Sequence, residues 1–194
     1  GYVFTTTSAT AGTKLPTILM GHGWGGVQTG LRQDAVEFAQ EGYLVLTFDY
    51  RGWGESDSRV LLKAAAPDPQ RTDFTAAVRT VREIVDPLDM AADWQNAIHW
   101  VHGESRVDPK RIGLWGSSMG GSLVVYAAAH DPRIRAVHSQ VTGGLKGSLW
   151  TNQPGTFSEA TRRARGEIDY PPPGAVSGGL RGAPIVSRFA NYNP

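Results

Sequence analysis

The sequence contains no cysteine, no long apolar run and no block of like charge. Without cysteine the chain can form no disulfide, and it offers neither a thiolate nucleophile nor a cysteine-bound metal. The longest wholly apolar stretch, residues 123–129, is far too short to cross a bilayer. Nineteen basic and 18 acidic residues leave a net charge of +1, which gives no reason to expect a nucleic-acid or membrane partner.

The 194 residues are enough for one domain with a sizeable core and too few for two full domains. The first residues lack the charged start and apolar stretch of a signal peptide, and a strand-like segment begins almost at once. We therefore favour a cytoplasmic location, although an exported enzyme can also lack cysteine.

Strand-like and helical patterns alternate through residues 1–142. This alternation predicts an α/β core with a doubly wound, mainly parallel sheet and helices on both faces. Asp86-Pro87 predicts a helix start, because it places an N-cap residue before a proline at the first helical position. An amphipathic pattern of helical spacing also runs through residues 74–84. Strands are predicted at residues 16–20, 44–48, 111–115 and 134–141, and helices at residues 31–39, 86–101 and 118–129.

Residues 143–194 are rich in glycine and proline, and only residues 158–168 carry a helical pattern. The segment contains no strand that could extend the sheet. We expect it to be an irregular, cap-like part of the same domain that lies over the carboxyl edge of the sheet.

Two glycine-rich turns follow predicted strands. The first, GHGWGG at residues 21–26, has the G-x-G-x-x-G spacing of a dinucleotide-binding turn. In such a turn the helix begins within the glycine motif, whereas here the helical pattern begins only near Gly30. Trp24 would also project into the space that a pyrophosphate needs. We therefore expect no nucleotide site, and we expect Asp49, at the end of the next strand, to restrain the loop at residues 51–57 through backbone N–H groups.

The second turn, residues 116–120, is Gly-Ser-Ser-Met-Gly, a G-x-S-x-G motif centred on Ser118. It lies between a predicted strand and a predicted helix, the context in which this motif bends sharply and raises its serine above the sheet. Ser118 is then a candidate nucleophile, and the backbone N–H of Met119 would face a developing oxyanion. The alternative is a tight turn that needs small residues, with Ser118 as a filler.

These motifs resemble, in their order and spacing, those of the α/β-hydrolases. GHGWGG resembles the oxyanion loop of that superfamily, FDYRGWGESD its loop after the following strand, and GLWGSSMGG its nucleophile elbow. VDPKRIGLWGSSMGG, with the DPRIRAV that follows, is most similar to the dienelactone-hydrolase-like esterases. The resemblance implies an α/β-hydrolase fold and a serine esterase that needs no metal or organic cofactor. It also implies that Trp24 supplies the second oxyanion N–H. The serine argues against the dehalogenases and epoxide hydrolases of this fold, which use a carboxylate.

In this superfamily the serine is followed along the chain by an acid and then by a histidine. After Ser118 the only histidines are His130, which closes a predicted helix, and His138, which lies inside a predicted strand. Neither position suits a base that must reach the serine hydroxyl. None of the later carboxylates follows a predicted strand. We therefore expect that the chain is incomplete and that the acid and the histidine lie beyond residue 194. We also expect these 194 residues alone to be inactive. The alternative is a protein that never had the pair.

The sequence thus predicts a serine hydrolase that cleaves carboxylic esters or related acyl compounds through an acyl-enzyme on Ser118. A small acyl or ester molecule is the expected partner. Trp53 and Trp150 are candidate walls of an apolar substrate pocket, with packing as an equal alternative for each. An acyl transferase of the same fold and a non-catalytic binding module on a hydrolase scaffold stay open as alternatives.

Overall fold

The computed structural model describes residues 1–7, 12–66, 68, 70–81, 86–141 and 154–170, except for the side chains of residues 154–157. Strands and helices alternate along most of this part of the chain. In chain order they are β1 (Tyr2–Phe4), β2 (Leu15–Gly21), a short 3₁₀ turn (Gln28–Leu31), α1 (Arg32–Gln40), β3 (Leu44–Phe48), β4 (Arg59–Leu62), β5 (Val78–Val81), α2 (Pro87–Gly103), β6 (Val107–Ser117), α3 (Met119–Ala129), β7 (Ile134–Gln140) and α4 (Pro154–Ala164).

Five strands form one sheet in the order β1–β3–β2–β6–β7. Strands β3, β2, β6 and β7 are parallel, whereas β1 pairs with β3 in the antiparallel sense. At the end of β2, Gly21 pairs with Phe48 of β3 on one side and with Gly116 of β6 on the other. The loops that follow these three strands therefore begin side by side at one edge of the sheet, where open α/β sheets bind their ligands.

Helices cover both faces of this sheet. On one face α1 buries Ala35 against Met20 of β2. On the other face α2 and α3 bury Trp94 and Leu123 in a larger core that also contains Leu19. Successive residues of a strand point to opposite faces, so Leu19 and Met20 enter different cores. This arrangement confirms the predicted doubly wound α/β fold.

Helix α2 begins where its sequence predicts. The Asp86 carboxylate accepts hydrogen bonds from the N–H groups of Leu88, at 3.0 Å, and Asp89, at 3.2 Å, and Pro87 is the first helical residue. These bonds satisfy two of the four N–H groups that the start of a helix leaves without a partner inside the helix. The cap fixes the end of α2 that lies nearest the loop after β3.

The connection between β3 and α2 contains strands where the sequence shows an amphipathic pattern of helical spacing. Residues 74–84 have apolar residues at helical spacing, but β4 and β5 form an antiparallel hairpin in which Val60 lies opposite Thr80. Val78 is exposed and Val81 is buried, as expected for two strand residues three positions apart. The same spacing resembles one face of a helix, so the pattern by itself does not distinguish the two. Residues 82–85 lie outside the described residues.

Helix α4 corresponds to the helix predicted at residues 158–168, and it begins and ends earlier in the chain. Arg163 of α4 places Nε and Nη2 3.1 Å from Asp86 Oδ2, so α4 lies against the start of α2. The rest of the predicted cap-like segment, residues 143–153 and 171–194, lies outside the described residues, and its role stays a prediction. None of the helices in the described ranges is both long and apolar enough to span a bilayer.

Candidate active site

Ser118 lies at the junction of β6 and α3 with a φ of 56° and a ψ of −119°. A positive φ is uncommon for a residue with a side chain, and such strain costs about 1–3 kcal/mol. The residue is exposed, and its N–H donates to the carbonyl oxygen of Gln140 at 2.9 Å. The turn therefore holds a strained backbone and presents an exposed hydroxyl at the carboxyl edge of the sheet.

The two glycines of the motif leave no room for side chains. A Cβ on Gly116 would overlap the carbonyl group of Gly120. A Cβ on Gly120 would lie 2.5 Å from the carbonyl oxygen of Gly21 and 2.6 Å from that of His22. The turn and the loop after β2 thus contact each other through their backbones, and only glycine permits this approach.

The loop after β2 also contacts the serine directly. A Cβ on Gly23 would lie 3.1 Å from Ser118 Cβ and 3.7 Å from Ser118 Oγ. The carbonyl oxygen of Gly23 accepts hydrogen bonds from His22 Nδ1, at 2.9 Å, and from the N–H of Gly26, at 3.1 Å. A trans peptide points its N–H away from its C=O. These two bonds therefore fix the direction of the Trp24 N–H, which belongs to the same peptide group as the Gly23 carbonyl.

His22 is 2% exposed and neutral at pH 7, because burial lowers the pKa of its imidazole below the ordinary value of 6.5. A carbonyl only accepts hydrogen bonds, so the contact with Gly23 places the proton on Nδ1. The other nitrogen, Nε2, lies 3.6 Å from Asp49 Oδ1 and has no hydrogen-bond partner among the described residues. His22 thus acts on the loop through Nδ1.

Asp49 holds the loops on either side of His22. Its Oδ1 accepts from the N–H of Gln28 at 2.7 Å, and its Oδ2 accepts from the N–H of Glu55 at 3.1 Å. The expected restraint of the loop at residues 51–57 through a backbone N–H is confirmed. The bond to Gln28 was not predicted, since it joins residues 21 positions apart and no local pattern signals it.

Aromatic rings fill the space behind the loop after β2. Trp53 is 1% exposed, and its ring centroid lies 5.4 Å from that of His22 and 6.2 Å from that of Trp24. Of the two tryptophans predicted to line a substrate pocket, Trp53 occupies this interior and Trp150 lies outside the described residues. A role for either in substrate binding stays a prediction.

All five histidines lie in the described residues, and none forms a hydrogen bond with Ser118 within that part of the chain. His130 Nδ1 contacts the carbonyl oxygen of Tyr126 at 2.8 Å, and the ring of His138 stacks on Trp115 with centroids 5.9 Å apart. The remaining three are His22, in the loop after β2, and His99 and His102, both on α2. Nor do any three histidine, aspartate or glutamate side chains of the described residues converge as metal ligands would.

A doubly wound sheet with a strained serine between a strand and a helix, backed by a glycine-rich loop at the same edge, is the architecture of the α/β-hydrolases. Within this class, the chain belongs to the dienelactone hydrolase family, whose model matches residues 1–142. The resemblance found in the sequence motifs is thereby confirmed.

The chain is similar to relatives of several descriptions. The quorum-quenching protein AidA of Acinetobacter baumannii is 34% identical over 140 residues, which are 71% of this chain and 39% of AidA. The thiohydrolase aneE of Aspergillus aculeatus is 30% identical over 125 residues, 64% of this chain and 33% of aneE. The crystal structure of the α/β hydrolase GrgF from Penicillium sp. sh18 matches this chain with a TM-score of 0.54 and 23% identity. The match covers 92% of this chain and 56% of GrgF, and it supports the fold. The chain thus spans no more than 39% of the length of such curated relatives.

Proposed function

We propose that this protein is a serine hydrolase that cleaves carboxylic esters or related acyl compounds through an acyl-enzyme on Ser118. The observation that carries the proposal is the backbone of Ser118, whose φ of 56° is held in an exposed turn against the glycine loop after β2. Strain of this kind persists only where the surrounding structure enforces it, and it concentrates at reactive groups.

In the proposed reaction, Ser118 Oγ attacks the acyl carbonyl carbon and loses its proton to a base, and the leaving group departs with a proton. Water then attacks the acyl-enzyme and releases the acid. The N–H groups of Met119 and Trp24 bind the oxyanion in both steps. Two features support this assignment. Met119 is the first residue of α3, where N–H groups have no partner within the helix, and hydrogen bonds to Gly23 fix the direction of the Trp24 N–H.

A serine hydroxyl needs a base to accept its proton, and the base needs an acid to orient it. We place both outside these 194 residues. The contacts of the five histidines support this, because none of them forms a hydrogen bond with Ser118 among the described residues. These residues expressed alone should therefore show no more than the modest rate that oxyanion donors give without a base.

The expected substrate is a compact acyl or aromatic ester, because pockets at this edge of a sheet are mostly apolar with few polar groups. A thioester fits the same mechanism, since the serine attacks the same carbonyl carbon and a thiolate leaves readily. The description of aneE as a thiohydrolase supports including this class. Truncation of Trp150 to alanine should change the preference for acyl chain length if this residue forms a wall of the pocket.

The test uses the full-length protein that carries this sequence, a fluorophosphonate probe and a short acyl ester. Ser118→Ala should abolish labelling and lower turnover by about a million-fold, as removal of a triad serine does. Ser117→Ala, one residue earlier and on β6, is the matched control and should keep both labelling by the probe and turnover of the ester. Labelling of the Ser118→Ala variant would move the nucleophile elsewhere, and an unlabelled wild-type protein would favour a binding module. Transfer of the acyl group to an added alcohol or amine, in preference to water, would identify an acyl transferase.

A further inference from the structure

Tyr50 joins the core to the loop after β2 by a hydrogen-bond chain. Its hydroxyl lies 3.2 Å from Trp94 Nε1 and 3.4 Å from the carbonyl oxygen of His22. An indole N–H can only donate and a carbonyl can only accept, so the direction of the chain is fixed. Trp94 donates to Tyr50, and Tyr50 donates to His22. Tyr50 and Trp94 both have 0% exposure, so water does not compete for these groups.

The same two side chains limit where the loop can lie. A Cβ on Gly21 would overlap the ring of Trp94 and would lie 2.8 Å from the Tyr50 hydroxyl. The carbonyl oxygen of His22 also lies 2.6 Å from the position that a Cβ on Gly120 would take. The backbone at residues 21–22 is therefore confined between the Trp94–Tyr50 pair and the start of α3.

Rings around Tyr50 hold its phenol in place. Its centroid lies 4.7 Å from that of His22 and 5.5 Å from that of Phe48, both at steep interplanar angles. Burial raises the pKa of the Tyr50 phenol far above its ordinary value of 10, so the hydroxyl keeps its proton under all working conditions. The donor to the His22 carbonyl is therefore always present.

We propose that Tyr50 is a positioning residue that, through its hydrogen bond to the His22 carbonyl, sets the place of the Trp24 N–H relative to Ser118. The inference rests on the proposed function, because it assigns the Trp24 N–H to the oxyanion. Tyr50 does not touch the substrate. It acts through the loop, whose carbonyl at His22 is separated from the Trp24 N–H by only one residue.

The test is Tyr50→Phe in the full-length protein, which removes one oxygen atom and keeps the ring contacts. The kcat for a short acyl ester should fall about tenfold, while KM changes less than about twofold, because the lost bond positions a group that acts in the transition state. Tyr43→Phe is the matched control. Tyr43 packs on Phe38 on the opposite face of the sheet, with centroids 6.2 Å apart, and its variant should keep the wild-type kcat.

A second measurement separates positioning from a general loss of structure. Sulfur accepts hydrogen bonds poorly, so well-placed oxyanion donors favour an ester over the thionoester in which sulfur replaces the carbonyl oxygen. Tyr50→Phe should lower the ratio of kcat/KM for the ester to kcat/KM for the thionoester. A partly unfolded sample would lower both kcat/KM values equally and leave the ratio unchanged. An unchanged ratio and an unchanged kcat would overturn the inference.

The Ser118→Ala variant, measured in the same assay, distinguishes failure of this inference from failure of the proposed function. If Ser118→Ala is inactive and Tyr50→Phe has wild-type kinetics, only the role of Tyr50 is wrong. If Ser118→Ala keeps ester turnover, the reaction does not use this loop, and both proposals fall.

Discussion

Replacing Gly120 with alanine tests whether the glycine loop after β2 and helix α3 contact each other as the structure shows. The new Cβ would lie 2.5 Å from the carbonyl oxygen of Gly21 and 2.6 Å from that of His22, whereas ordinary van der Waals contact begins at 3.4 Å. Both neighbours are backbone atoms, so no side-chain rotation relieves the overlap. The loop and the helix must therefore separate by about 0.9 Å, the shortfall from ordinary contact at Gly21.

This separation should affect the rate far more than the stability. Forcing an extra methyl group into a packed site costs about 1–3 kcal/mol. Alanine recovers about 1 kcal/mol of this, because it is the better helix former. The net cost of up to about 2 kcal/mol corresponds to a decrease in Tm of no more than about 8 °C for a domain of this size. A misplacement of about 1 Å between catalytic groups, by contrast, can lower the rate about 100-fold.

The assay is kcat/KM for a short acyl ester in the full-length protein, together with a thermal melt. Gly113→Ala is the matched control, because Gly113 lies on β6, the strand that leads into the same turn, and its Cβ would make an ordinary contact of 3.5 Å with Ala136 Cβ. We expect a loss of about 100-fold for Gly120→Ala and little change for the control. Wild-type kcat/KM in a folded Gly120→Ala protein would show that the loop is not held against α3, and the argument would be refuted.

Two further predictions concern buried charge. Arg163→Met leaves the buried Asp86 carboxylate without its guanidinium and should lower the free energy of unfolding, measured in urea titrations, by about 3–5 kcal/mol. The control Arg162→Met, at an exposed position of the same helix, should change this free energy by less than about 0.5 kcal/mol. Equal effects of the two would contradict the ion pair. Burial lowers the pKa of His22 in the folded protein, so its contribution to stability is complete above the unfolded value of 6.5 and is lost as the pH falls toward the folded pKa. His22→Asn, which can keep a donor at the position of Nδ1, should remove that part of the acid sensitivity, and an identical pH profile would disprove it.

Local signals in the sequence predicted the parts of this fold whose causes are local. Asp86-Pro87 predicted the start of α2 because a cap satisfies N–H groups only two and three residues away. Gly116 predicted a sharp turn between a strand and a helix because its Cβ would overlap the carbonyl group of Gly120, within the same five residues. The positive φ of Ser118 is the structural counterpart of that pattern.

Features that depend on distant residues were not predicted. Trp94 and Tyr50 are 44 positions apart, and FDYRGWG by itself indicates only a loop after a strand. The hairpin of β4 and β5 was not predicted, because Val78 and Val81 have a spacing that fits a helix as well as a strand. No pattern in the sequence near Asp86 indicates Arg163 as its partner, since the two are 77 positions apart. In each case the partner, and not the local pattern, determines the role of the residue.

Residues 1–142 and residues 143–194 should contribute differently to substrate preference. The region that the family model matches, residues 1–142, contains Ser118, the glycine loop and both proposed oxyanion donors. Their relative positions depend on backbone contacts that tolerate almost no change, as the space at Gly120 shows. The described contact of α4 with this region includes the ion pair of Arg163 with Asp86. We propose that residues 143–194 determine which acyl groups are accepted. Substitutions there that spare this ion pair should then shift the preference among longer esters while kcat for a minimal acetyl ester stays at the wild-type value.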